Sequence, residues 1–301
     1  MVLASIAAAY QYGLAPVAPF TWLGLATSTL DIVATIRLCM ALRQMRENLR
    51  RQHDVRARPK SAEVEERSFV RDALATLLVV YGGEALICPY ISVTPSFVLS
   101  GATPLLCVLI QALVEALPTS AVPIPSFNVE FPLSFLDGLN RAVLLCTIVP
   151  PIVLASPVSG LSESPWVLIL GSFVIANGGF FLVNLFSFLL PTPLALTTPP
   201  ELLPYGWTTT DLWCAPLITA VYATLTHAQP FWADVHAGLG VLAGGGGYAA
   251  EGVNAKLEPV DTETARAACA LILAGLFVTR TMRTFGVGLF SKGTVEKIKT
   301  N

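Results

Sequence analysis

Apolar residues along the chain gather into long runs that are separated by short polar or proline-rich segments. Seven of these runs approach the roughly 20 residues that an α-helix needs to cross a bilayer, although the third and the sixth are shorter. This pattern predicts an all-α integral membrane protein with seven transmembrane helices. The predicted spans cover residues 17–42, 73–90, 103–117, 136–154, 166–190, 212–226 and 265–281.

Two of the predicted spans are interrupted near the middle by a pair of adjacent glycines. Gly82 and Gly83 lie in the second span, and Gly178 and Gly179 lie in the fifth. A glycine lowers helix stability by roughly 1 kcal/mol relative to alanine, so a membrane helix keeps it where the helix kinks or where another backbone approaches closely. Two interpretations are open: a kink that turns backbone carbonyls or water toward a pore, or tight helix packing through small residues.

Charged and amide side chains also occur inside the predicted spans, where they are costly and usually face a cavity, a partner or water. Glu84 either draws cations toward a pore or pairs with Arg37 or Arg141. The aspartates either pair with these arginines across the molecule or, for Asp137 and Arg141, form a local pair four residues apart. Asn177 and Asn184, seven residues apart on one face of span five, either line a pore or bond to a neighbouring helix. The whole set, open to both structural and gating roles, is Asp31, Arg37, Glu84, Asp137, Arg141 and Asn177.

The composition supports a membrane protein and argues against several other classes. The chain is 54% hydrophobic and 13% charged, whereas soluble domains are about a quarter charged, and the mean hydropathy is +0.66. The six cysteines fall in apolar runs without metal-ligand spacing, and the three histidines are scattered. No catalytic combination of residues appears in the spans. We therefore predict no enzyme activity, no metal or other cofactor, and no nucleic-acid partner.

The distribution of basic residues predicts the orientation. Nine of the 18 basic residues lie in residues 43–72, and further lysines lie in the tail at 286–301. Six spans separate these two regions, so both lie on one side of the membrane, and the positive-inside rule makes that side cytosolic. The N-terminus is then lumenal, as is the acidic loop at 231–264. The four glycines of that loop, Gly244 to Gly247, are predicted to be a flexible segment.

Three short sequence matches relate the first three spans to the next three. Because three is odd, the second copy inserts upside down, and inverted repeats with broken helices place a pathway near the midplane. Chance similarity between apolar helices is the alternative. The matches pair Ser28–Asp31 with Ser134–Asp137, Gly82-Gly83 with Gly178-Gly179, and Pro104…Pro118 with Pro216…Pro230. The predicted divisions are 1–16 (lumenal segment), 17–118 (first repeat), 119–133 (connection), 134–230 (second repeat), 231–264 (lumenal loop), 265–285 (seventh helix) and 286–301 (cytosolic tail).

Seven spans, a three-plus-three repeat and glycine breaks in spans two and five resemble the trimeric intracellular cation (TRIC) channels. The resemblance covers about residues 19–285 and rests on architecture and short glycine motifs. It implies a homotrimer in which each chain holds a pore between helices two and five. That pore conducts potassium and other monovalent cations as a counter-ion current during calcium release. Two departures stand out: the Lys-Glu-Val motif of the animal proteins is absent, and the glycines form pairs rather than triplets.

The resemblance also implies a basic gating or lipid-binding residue in span four, for which Arg141 is the matching position. A bound phosphoinositide or another anionic lipid is the ligand that this position implies. Lys297 and Lys299, third and fifth from the end, resemble a dilysine retrieval signal, which predicts the endoplasmic reticulum or another intracellular membrane. Binding of a basic tail to lipid headgroups is the alternative. A secondary transporter with the same inverted repeats is the alternative function.

Overall fold

The computed structural model describes residues 2–17, 27–56, 64–243 and 258–286, and this part of the chain is helical. Outside the helices, these described residues contain one isolated antiparallel β-bridge, between Pro16 and Ser28. Much of the predicted start of span one, the segment Gly244 to Gly247 and the basic tail lie outside the described residues. The helices are α1 (Val2–Gly13), α2 (Thr29–Arg56), α3 (Phe69–Ile87), α4 (Ser96–Leu99), α5 (Ala102–Ala116), α6 (Phe127–Val143), α7 (Val149–Leu154), α8 (Ser159–Ser162), α9 (Pro165–Leu185), α10 (Thr210–Thr226), α11 (Pro230–Ala243) and α12 (Thr262–Thr284).

Three helical segments in this described part are long and apolar enough to cross a membrane. They are Phe127–Leu154, Pro165–Leu185 and Thr262–Thr284, and the apolar helix Ala102–Ala116 is shorter. Helix α2 is much more highly charged than these segments, and α3, like α2, extends into the basic region between the first two predicted spans. The protein is therefore all-helical where described and has the character of a helical membrane protein, while the number of seven spans stays a prediction.

Helix α2 begins with a capping box and continues well past the predicted end of span one. The Ser28 amide and hydroxyl donate to Asp31 Oδ2 at 2.9 and 2.7 Å, and the Asp31 amide donates to Ser28 Oγ at 3.1 Å. This reciprocal pairing satisfies donors that a helix start leaves free. The helix then runs to Arg56, into the stretch expected to be a connection, where pairs such as Arg43 and Glu47 at 2.8 Å support it.

The fourth predicted span is a composite of α6, a π-helical segment at Leu144–Ile148 and α7. Pro150 and Pro151 have no amide hydrogen, so they remove two of the hydrogen bonds that an α-helix would make here. A π turn at this place absorbs the change in hydrogen-bond register. The composite begins at Phe127, earlier than predicted, so the expected connection at 119–133 is shorter than the sequence indicated.

The predicted lumenal segment at 1–16 contains a helix, α1, which packs against the core. Its buried Tyr10 donates from the hydroxyl to the Leu139 carbonyl at 2.9 Å, and the Arg266 guanidinium lies 4.8 Å from the centre of the Tyr10 ring. Burial raises the pKa of the Tyr10 phenol above its usual value, so the hydroxyl keeps its proton. Gln11 also donates to Glu263 at 2.7 Å, so α1 is bonded to both α6 and α12.

The main hydrophobic core lies among α6, α7, α9, α10 and α12, with α1 added at one side. Leu145, Leu168, Ile218 and Leu273 are fully buried in it. Gly138 lets α6 approach α12 closely, because a Cβ there would lie 2.7 Å from the Ala274 amide nitrogen. Helix α11, inside the predicted lumenal loop, packs against α10.

One arginine ties the start of α3 to the chain that follows α9. The carbonyls of the chain just beyond α9 are outside any helix and need donors from elsewhere, and Arg71 donates to several of them at once. We call this group the arginine clamp. Arg71 donates to the carbonyls of Ser187 (2.7 Å), Leu190 (2.8 Å), Phe188 (3.0 Å) and Thr192 (3.0 Å), and it also pairs with Glu65 (2.7 Å).

A second charged cluster joins α2, α3 and α5 at the same end of the molecule. Arg46 Nη1 lies 2.5 Å from Asp72 Oδ2 and 2.9 Å from Glu115 Oε1, and Arg67 pairs with both carboxylates. The Asp72 and Glu115 side chains are 6% and 9% exposed, so removing one of their arginine partners would leave a buried charge uncompensated. The ends of α2 and α5 are thereby bonded to the start of α3.

Replacing Arg71 by alanine tests the arginine clamp. We expect the free energy of unfolding to fall by about 2–4 kcal/mol, because hydrogen bonds to charged groups contribute about 1.5–3 kcal/mol each and water replaces only part of them. Thermal unfolding of the purified protein in detergent measures this. Arg51→Ala is the control, since Arg51 donates to the Glu47 carbonyl of its own helix. Equal melting temperatures for the two variants would contradict the clamp.

Candidate functional site: a glycine crossing beside a polar cavity

The four predicted glycines meet where α3 crosses α9. Both helices continue through their glycine pairs without a break. A Cβ added to Gly83 would collide with the backbone of Ile175, and one added to Gly179 would collide with the carbonyl of Val79. The two backbones are therefore in direct contact, which only glycine permits at these positions.

The contacts of the crossing are reciprocal between the two helices. A Cβ on Gly82 would lie 2.9 Å from Gly179 Cα and 3.2 Å from Leu182 Cδ1. A Cβ on Gly178 would lie 3.1 Å from Gly83 Cα and 3.2 Å from the matching leucine of α3, Leu86. An offset of 96 in residue number relates Gly82 to Gly178, Gly83 to Gly179 and Leu86 to Leu182, so the two helices use corresponding residues against each other. These contacts agree with tight helix packing through small residues, the second interpretation of the glycine pairs. A role of the glycines in shaping a pore stays a prediction.

A cavity of about 590 Å³ lies between α2, α6, α9, α10 and α12. It contains four residues of the predicted set and also Asn184, and these come from three different helices. It also contains polar residues that the sequence did not single out for the site. Its charged and amide lining consists of Arg37, Asp137, Asn140, Arg141, Asn177, Asn184, Glu201, Asp211 and Arg280.

Arg37 joins α2 to α6 through two carboxylates. Its Nη2 donates to Glu130 Oε2 at 2.7 Å and to Asp137 Oδ2 at 3.2 Å, and its Nε donates to Asp137 Oδ1 at 3.3 Å. Asp137 thus pairs with Arg37 across the helix interface. In the described residues it forms no salt bridge with Arg141, the local pairing that the sequence had also allowed.

Arg141 forms no salt bridge within the described residues. Its Nη2 reaches Asn177 Oδ1 at 3.4 Å, a long hydrogen bond, and its buried Nε has no partner in that same part of the chain. Asn177 in turn donates from Nδ2 to the Phe173 carbonyl of its own helix at 2.9 Å. The guanidinium charge of Arg141 is therefore not neutralised by a carboxylate at the cavity wall.

Two predicted site residues lie outside the cavity and make local structural contacts. Asp31 bonds to Ser28 in the capping box of α2, rather than pairing with an arginine. Glu84 is buried and accepts hydrogen bonds from the Ser96 amide at 2.9 Å and the Ser96 hydroxyl at 2.7 Å, at the start of α4. Neither carboxylate makes the contact with Arg37 or Arg141 that was considered from the sequence.

Five cavity or cavity-side residues were not among the predicted site. Glu130 was assigned to the connection and Asp211 to a loop, although each lies in the first turn of a helix. Arg280 Nη1 lies 2.5 and 2.6 Å from the two carboxylate oxygens of Asp211, joining α12 to α10. These pairs connect distant parts of the chain, so no local sequence signal marks them. The missed residues are Glu130, Asn140, Glu201, Asp211 and Arg280.

Alanine at the crossing tests the backbone contact. Gly83→Ala and Gly179→Ala should each lower the free energy of unfolding by about 1–3 kcal/mol, because the added methyl group overpacks a rigid backbone contact. Gly275→Ala is the matched control, since open space surrounds that helical glycine, and alanine there should gain up to about 1 kcal/mol. Thermal unfolding measures all three variants. A stabilising effect at Gly83 and Gly179 would contradict the observed contact.

Comparison with known proteins gives no match: no protein-family model, curated protein or solved structure is significantly similar to this chain. The resemblance to the TRIC channels rests on the residues quoted above and stays a prediction.

Proposed function

We propose that the protein is a channel for monovalent cations, chiefly potassium, with its pathway inside each chain. The observation that carries this proposal is the reciprocal glycine crossing of α3 and α9 directly beside the polar cavity. Two glycine-bearing helices that meet through corresponding residues are what an inverted repeat produces, and such repeats build membrane pathways near the midplane. The full proposal includes seven spans, an inverted three-plus-three repeat, and a cytosolic side at the arginine clamp.

The charges around the cavity favour a cation pathway over an anion pathway. Arg37 is held by Glu130 and Asp137, and Arg280 is held by Asp211. Arginines that are paired in this way present little free positive charge to an ion. With Glu201 included, the four carboxylates in or beside the cavity outnumber the three arginines. Amide oxygens from three asparagines add neutral ligands that suit potassium.

The crossing is the place where we locate the closed gate. Because the backbones of α3 and α9 touch at the glycines, no ion passes between them in this arrangement. Ions would cross when the two helices separate or slide at this contact, and glycines allow such movement without side-chain clashes.

In keeping with the family resemblance, we also propose a homotrimer in an intracellular membrane that carries counter-ion current during calcium release, with an anionic lipid at Arg141.

A secondary transporter for a small anionic solute is the second candidate function. The observation that favours it is Arg141, an arginine without a carboxylate partner in the described residues, facing a cavity of a size that suits a small ligand. A carrier and a channel differ in their kinetics. A carrier gives slow, saturable, substrate-specific flux, whereas a channel gives discrete current steps.

Single-channel recording in planar bilayers under a potassium chloride gradient tests the proposed function. We expect discrete openings that reverse near the potassium equilibrium potential. Reversal near the chloride potential would overturn cation selectivity. A silent bilayer, from protein with a normal melting transition, combined with saturable anion uptake into vesicles would establish the transporter instead.

Arg141→Gln tests the effect of the unpaired arginine on conduction. Removing a positive charge from the cavity wall should raise potassium conductance at low salt by about two-fold or more, because clefts concentrate the field of their charges. Recording at low and high potassium chloride measures the change, which should shrink as salt screens the charge. Arg50→Gln is the control, because Arg50 is exposed on α2 and does not line the cavity. Equal effects from both variants would contradict the role of Arg141.

A further inference from the structure

Glu201 occupies one wall of the polar cavity, although it lies in the proline-rich segment between α9 and α10. It is the middle residue of a short 3-10 turn, Pro200–Leu202, and it lines the cavity together with Thr209 and Asp211 from the start of α10. The segment therefore brings a carboxylate to the end of the cavity where α10 begins.

The segment that carries Glu201 is bonded to the helices beside it. Thr197 donates from its amide to the Leu185 carbonyl at 2.8 Å and from its hydroxyl to the Asn184 carbonyl at 2.6 Å, which ties the segment to the end of α9. A Cβ at Gly206 would collide with the Pro200 carbonyl, so the segment also folds tightly on itself. Glu201 thus has a defined position rather than a place on an unsupported loop.

Two buried oxygens of the cavity wall accept no hydrogen bond from the described residues. They are Glu201 Oε2 and Asn140 Oδ1. A buried acceptor without a donor is costly, and such atoms in a polar cavity are usually satisfied by water or an ion. Both residues line the same cavity, one from the segment after α9 and the other from α6.

The charge pairing around the cavity leaves Glu201 distinct from the other carboxylates. Asp137 bonds to Arg37, and Asp211 bonds to Arg280. Glu201 has no salt bridge to any described residue, although Arg141 lines the same cavity and also lacks a carboxylate partner. The cavity wall therefore holds a carboxylate that no described basic side chain pairs with.

We propose that Glu201 and Asn140 form a cation-binding subsite at the cytosolic mouth of the pathway. The proposal rests on the proposed function and adds the residues that attract the ion. One carboxylate and one amide oxygen suit a partly hydrated monovalent cation. Calcium takes six to eight oxygen ligands and tight sites supply several carboxylates, which these two residues do not provide. Glu201 raises the local cation concentration, and Asn140 replaces part of the hydration shell.

Recordings of Glu201→Gln against wild type test the subsite. At low potassium chloride we expect potassium conductance to fall by about two-fold or more, with the reversal potential under a salt gradient moving toward zero. Glu66→Gln is the matched control, since Glu66 is an exposed carboxylate in the segment before α3 that does not line the cavity. It should leave both quantities at the wild-type value. Unchanged or increased conductance in Glu201→Gln, as expected if Glu201 only neutralises Arg141, would overturn the subsite.

Thallium, a potassium mimic with strong anomalous scattering, gives a second measurement that does not depend on conduction. Crystals of the wild-type protein in thallium nitrate should show an anomalous peak beside Glu201 and Asn140, and crystals of Glu201→Gln should lose it. A silent wild-type protein with this peak would overturn the channel and keep the subsite. A conducting wild-type protein without the peak, and with unaltered Glu201→Gln currents, would keep the channel and overturn the subsite.

Discussion

The contact between the backbones of α3 and α9 is the constraint on which the rest of the site depends. Inside a bilayer the lipid is as apolar as a leucine side chain, so helices gain little from hydrophobic burial against each other and gain mainly from close packing. The four glycines lower the intrinsic stability of these two helices, by roughly 1 kcal/mol each relative to alanine. What they provide is an approach that no larger residue permits, and that approach fixes the rotation of each helix about its own axis.

The rotation of α9 determines which of its side chains reach the cavity. Successive residues of an α-helix are turned by about 100°, so Gly178 and Gly179 facing α3 turn Asn177 to another side. Asn184 lies seven residues beyond Asn177, two turns along the same face, and both line the cavity. A pair of glycines and a pair of asparagines on one helix therefore have separate functions: the first sets the crossing and the second meets the polar space beside it.

Much of the helical pattern could be predicted from the sequence, whereas the partners of the charged residues largely could not. Apolar runs and prolines indicated where the helices lie. The glycine pairs indicated a kink or a close helix contact, because glycine in the middle of a helix lowers its stability. The partner of Asp31 was also readable, since Ser28 and Asp31 have capping-box spacing. The contact of Glu84 with Ser96 depends on how the chain turns after α3, and the pairing of Asp211 with Arg280 depends on how α10 meets α12. No local pattern encodes either.

The polarity of the cavity follows from what remains after the paired charges cancel. Arg37 and Arg280 are each neutralised by a carboxylate on a neighbouring helix, which leaves Arg141 and Glu201 with opposite charges on two different elements. The potential that an ion meets then depends on its distance from each of them, because the Coulomb energy falls with distance and with the local dielectric. Arg141 lies on α6, and the close contact of α6 with α12 at Gly138 constrains the direction in which α6 presents its side chains. Glu201 is positioned separately, by the bonds that hold its segment to α9. The balance between attraction and repulsion is thus set by the relative position of two elements rather than by either residue alone.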